Sequence, residues 1–107
     1  MAIPSVPLFG NPTRVTVDVA IKASAGKLWG VLLEGGTTAS SIDFFDHATS
    51  ASGLTAIFGV TAPCVTATGS EASSVFIDLT PFGGLDFALG IWADLTGTGA
   101  VGYVWFS

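Results

Sequence analysis

The run of residues 74–106, SVFIDLTPFGGLDFALGIWADLTGTGAVGYVWF, constrains this chain more than any other stretch. Apolar side chains recur there at every second position: Val75, Ile77 and Leu79, then Phe87, Leu89, Ile91, Ala93 and Leu95. A helix has a period of roughly 3.6 and cannot hold that set on one face, whereas a strand does so by its pleat. Gly97, Thr98 and Gly99 interrupt the pattern before it resumes over residues 101–106. That break predicts a β-hairpin closed by a loop of three residues. An antiparallel β domain is the expectation.

The upstream segments agree. Residues 13–23 read as one strand, with Val15, Val17, Val19 and Ile21 facing a core and Arg14, Thr16, Asp18, Ala20 and Lys22 facing water. Ser24, Ala25 and Gly26 turn the chain into KLWGVLLE, residues 27–34. That segment is apolar on both faces, as suits a central strand or one covered by another subunit. A Gly/Thr loop follows, and then SSIDFFD over residues 40–46, with Ile42 and Phe44 inward. Residues 47–53 are turn material. A fourth strand is expected at 54–60, ending near Pro63, with irregular chain at 65–72 and strands at 73–79, 87–95 and 100–106. Six to eight short strands without a helix predict an all-β antiparallel sandwich, jelly-roll or immunoglobulin-like, or a small barrel.

With 107 residues the chain suffices for one domain with one core, expected to span residues 13–107. Pro4, Pro7 and Pro12 set residues 1–12 apart. That segment reads either as a loose tail or as an extended arm laying Ile3, Val6, Leu8 and Phe9 on a neighbouring subunit.

Charge removes several classes of function. Only 10% of residues are charged, against about 25% in ordinary soluble domains, so part of the surface is expected to be covered by partners. Arg14, Lys22 and Lys27 are too few to follow a phosphate backbone, and the formal charge is −5, so neither nucleic acid nor a membrane surface is an expected partner. No apolar run approaches the roughly 18 residues of a membrane span. The first residues lack the basic start and apolar stretch of a signal peptide. A lone Cys64 excludes an internal disulfide, fits a reducing cytoplasm, and reads as a small buried hydrophobe.

Catalytic chemistry finds little support. Asp46, His47 and Ser50 or Ser52 supply the residue types of a triad, but a triad is a geometry, and no G-x-S-x-G elbow occurs. Asp43 and Asp46 fall on opposite faces of a strand, while Asp78, Asp86 and Asp94 lie on separate strands or turns. No catalytic residue, metal ligand or cofactor is assigned, and the expectation is a protein that is not an enzyme. The aromatics carry more information. Trp29, Phe45, Phe76, Trp92 and Phe106 fall out of phase with neighbouring core residues. They read as a second layer of core, as anchors of subunit interfaces, or as a platform for sugar rings.

Two segments carry a resemblance: VTVDVAIKASAGKLWGVLLEGGTTASSIDFFD, residues 15–46, and SSVFIDLTPFGGLDFALGIWADLTGTGAVGYVWF, residues 73–106. Their order of strands, an Ala-Ser-Ala-Gly-Lys turn, a Gly/Thr loop and a Thr/Gly tip resembles the small all-β capsid decoration, or cement, proteins of tailed bacteriophages. The resemblance implies a non-enzymatic virion protein, often a homotrimer. It would be made in the host cytoplasm and bind the major capsid protein on the outer head where capsomers meet. Placement on a tail or fibre, or a carbohydrate-binding module, is the alternative expectation.

Overall fold

A computed structural model of the chain describes residues 11–62 and 74–107. Among the described residues nine strands follow one another: β1 (Thr13–Val15), β2 (Val19–Lys22), β3 (Gly26–Glu34), β4 (Ser40–Asp46), β5 (Phe58–Ala62), β6 (Ser74–Asp78), β7 (Leu85–Phe87), β8 (Ile91–Thr96) and β9 (Val101–Phe106). A turn of 3-10 helix, Thr80–Phe82, carries Pro81 as its second residue and is closed by Gly83 in the left-handed region. The strands form two antiparallel sheets. The first has the order β1-β9-β3-β6, with β7 also paired to β3, and the second has the order β2-β8-β4-β5. This is the all-β, two-sheet arrangement of a β-sandwich.

The core lies between the sheets and draws on both. Val15, Leu28, Val31, Leu33, Phe87 and Val104 face inward from the first sheet, and Ile42, Phe44, Val60, Ile91 and Ala93 from the second. Phe44 stacks on Phe58 of the neighbouring strand, with ring centroids 6.3 Å apart. β3 is central, between β9 on one side and β6 and β7 on the other.

Three expectations from the alternation are corrected, all for one reason. The segment expected as a single strand at 13–23 is two strands. β1 pairs with β9 in the first sheet and β2 with β8 in the second, and the bend at 16–18 between them leaves Val17 64% exposed. Asp18 fastens that bend by accepting the backbone N–H of Leu95 at 2.8 Å. Likewise the expected strand at 87–95 breaks at 88–90. β7 pairs with β3, β8 pairs with β2 and β4, and Leu89 in the bend is 60% exposed. The expected hairpin around Gly97 to Gly99 is an arch from one sheet to the other, since β8 and β9 never pair. Inward alternation survives such crossings because both sheets enclose the same core; the hydrogen-bonding partner changes. The fourth strand begins at Phe58 rather than residue 54, leaving Leu54 and Ile57 exposed before it.

At the arch the chain is clasped. Thr37 donates its backbone N–H to the Thr98 carbonyl at 2.9 Å, and Thr98 donates to the Thr38 hydroxyl at 3.0 Å. Buried Ser40 donates to the Thr38 carbonyl and accepts from the Gly36 N–H. Gly97 adopts φ 118°, and a side chain there would collide with Ser40.

Candidate interaction surfaces

The strand register assigns each side chain to the core or to an outer face. On the first sheet Arg14, Tyr103, Leu32 and Phe76 form one row across four strands, with all four turned away from the core. In the next row Trp105 and Asp78 flank Gly30. The rings of Phe76 and Trp105 meet edge to face, 5.9 Å between centroids and 84° between planes. They stand on β6 and β9, with β3 between them, and Gly30 contributes no side chain to separate them. Phe76 remains 51% exposed, and Leu32, Tyr103 and Trp105 are half-buried. An outer sheet face of this kind ordinarily carries polar residues. Here the middle of the face is apolar, with Arg14, Glu34, Ser74 and Asp78 around it.

The other aromatics singled out by phase divide into groups. Trp29 is the extra residue of a β-bulge against β9, where Leu28 faces Phe106 and Gly30 faces Trp105. Its indole N–H donates to the Ser107 hydroxyl at 2.9 Å, and the Lys27 ammonium lies 5.4 Å from its ring centroid. Trp92 sits on the outer face of the second sheet, opposite Phe45, and its indole N–H donates to Asp94 at 2.6 Å. Phe45 is 9% exposed, and Phe106 packs on the core, so the chain's own fold has covered most of both. Ile3, Val6, Leu8 and Phe9 lie outside the described residues, as does Cys64. Trp105 and Tyr103 escaped the reading by phase, although Gly102 and Val104 turning inward puts both on the outer face.

At the end of the sandwich where β3 begins and β9 ends, loops bring further apolar side chains to the surface: Phe82, 80% exposed, and Leu89. An open cleft of about 460 Å³ lies at this end, lined by Ala25, Gly26, Lys27, Asp46, Asp86, Phe87, Ala88 and Ser107. Its charges are already engaged. Lys27 pairs with Asp86 at 3.4 Å, a largely exposed contact worth little. Asp46 accepts the backbone N–H groups of Leu89 at 2.7 Å and Gly90 at 3.4 Å, and these bonds hold its carboxyl below the usual carboxylate range.

The residue types of a triad do not assemble. Asp46 turns towards the 88–90 loop, not to its neighbour His47. His47 uses Nδ1 to accept the backbone N–H groups of Thr49 at 3.0 Å and Ser50 at 3.1 Å. The Ser50 hydroxyl accepts from the Ser52 N–H at 2.9 Å. Each group closes a turn, and none is aimed at another as base or nucleophile. Among the described residues no three Asp, Glu, His or Cys side chains converge as metal ligands. Asp78 accepts the Thr80 N–H at 2.9 Å where the 3-10 turn begins, and Asp94 holds Trp92.

No protein-family model, curated protein or solved structure matches the chain.

Proposed function

We propose that this chain is a non-enzymatic structural protein that acts by surface docking, and specifically a decoration protein on the head of a tailed bacteriophage. In this reading it assembles as a homotrimer and binds the major capsid protein at capsomer junctions. The virion assignment follows from the sequence resemblance. The observation that supports docking is the outer face of the first sheet, where Leu32, Phe76, Tyr103 and Trp105 lie together on a surface that water would ordinarily claim. Aromatic anchors of this kind dominate the energetics of protein interfaces. The edge-to-face packing of Phe76 and Trp105 weighs against a flat stacking platform for sugar rings.

Two measurements test the reading. Sedimentation equilibrium over a concentration series is expected to give a trimer, and a monomer at all concentrations would overturn the trimeric part. Immunogold electron microscopy of virions from the source host is expected to label the head. Label confined to the tail would move the protein to a tail or fibre role, and unlabelled particles would remove it from the virion.

A further inference from the structure

The histidine at the end of β4 has a use that is neither docking nor catalysis. Nδ1 of His47 receives two backbone N–H groups, from Thr49 and Ser50, with the Thr49 hydroxyl 3.4 Å away. A ring nitrogen accepts only while it carries no proton, so this arrangement requires neutral imidazole with its hydrogen on Nε2. In imidazolium both nitrogens are donors, and Nδ1–H would then point at two other donors. We propose that His47 is a pH-operated latch, closing residues 47–50 when neutral and releasing them when protonated.

The surroundings give the latch something to move. Gly90 is buried, and a Cβ placed on it would come within 2.8 Å of the His47 carbonyl oxygen, the Ala48 Cα and the Lys22 carbonyl oxygen. The backbone of the latched loop is therefore one wall against which the 88–90 bend packs, and exposed Leu89 stands on that bend. One charged group adjoins the ring, Asp46, next in the chain; Lys22 offers Gly90 only its carbonyl oxygen, and its ammonium lies over Gly26. Residues 88–90 bring no titratable side chain. Histidine is the side chain that changes charge between about pH 5 and 8. Acidification over that range loosens this end of the sandwich and leaves the sheets intact.

Amide exchange followed by NMR at pH 7.5 and pH 5.5 tests the latch in the wild type, His47→Asn and His47→Ala. In the wild type the protection factors of the Thr49 and Ser50 amides are expected to fall on acidification by ~10-fold, as suits the loss of one or two modest hydrogen bonds. Asparagine offers a side-chain oxygen that accepts from nearby backbone N–H groups without titrating, so His47→Asn should stay protected at both pH values. His47→Ala should be unprotected at both. Equal protection of the wild type at the two pH values would overturn the latch. So would a parallel fall in His47→Asn, or an equal loss at the core amides of Val31 and Val104.

Discussion

Replacing Gly36 by alanine isolates the clasp between the 35–39 loop and the arch. Gly36 has no left-handed φ, so alanine suits its backbone, and what forbids the side chain is space. A Cβ there would overlap the Thr98 carbonyl oxygen and stand 2.7 Å from the carbonyl carbons of Thr98 and Gly99. The overlap with the Thr98 oxygen is the severest, and opening it to an ordinary C···O separation of about 3.3 Å makes the arch retreat by roughly 1.5 Å. The Thr37–Thr98 bond, 2.9 Å long, would then stretch to about 4.4 Å, well past the usual limit of about 3.2 Å. The bond from Thr98 to the Thr38 hydroxyl is lost with it. Two hydrogen bonds at about 0.5–1.5 kcal/mol each amount to about 1–3 kcal/mol. The stiffer unfolded chain returns about 0.4–1 kcal/mol, leaving a net destabilisation centred near about 1 kcal/mol and at most about 2.6 kcal/mol.

Urea unfolding of Gly36→Ala should show that loss, and amide exchange at Thr37 and Thr98 should accelerate in the folded protein. Gly53→Ala is the counterpart: its φ of 73° disfavours alanine, yet no atom lies within 4 Å of the added Cβ. It should lose stability without disturbing the clasp amides. A Gly36→Ala protein as stable as the wild type, with Thr37 and Thr98 still protected, would refute the steric account.

Other substitutions separate core, crossing and surface. Phe44→Ala empties a fully buried ring site and should cost about 3–5 kcal/mol in urea unfolding. Phe76→Ala, at a half-exposed site, should cost no more than about 1 kcal/mol, yet sedimentation should show weakened self-association if the outer face is the interface. Asp18→Ala removes the acceptor for Leu95 at the crossing between sheets and should cost about 1 kcal/mol by the same assay. Asp46 is expected to confer acid-sensitive stability, because its folded carboxyl titrates below the ordinary value of 3.8. Its contribution is fully present above that value and fades as pH falls through the lower, folded pKa. The gap in melting temperature between the wild type and Asp46→Ala should therefore stand at pH 6 and narrow below about pH 4.

Period-two alternation in residues 74–106 and in 13–23 made the strand class legible, because the pleat alone decides which side chains share a face. The same reading placed Ile42 and Phe44 inward, which follows from local pattern, and left β3 as a central strand or one covered by another subunit. Phase also marked Phe76 as an outer-face aromatic, although it passed over Tyr103 and Trp105 on β9. Local pattern could not show where one strand stops and its neighbour in the other sheet begins. Val15 and Val19 both face the core, as do Phe87 and Ile91, so the alternation runs on through bends that expose Val17 and Leu89. The break at Gly97 to Gly99 likewise serves a hairpin or an arch, and its residues do not tell which. Only the tertiary structure decided that β8 bonds to β2 and β4 while β9 bonds to β1 and β3. A backbone N–H is satisfied by whichever strand packing brings beside it, and that strand stands far away in the chain.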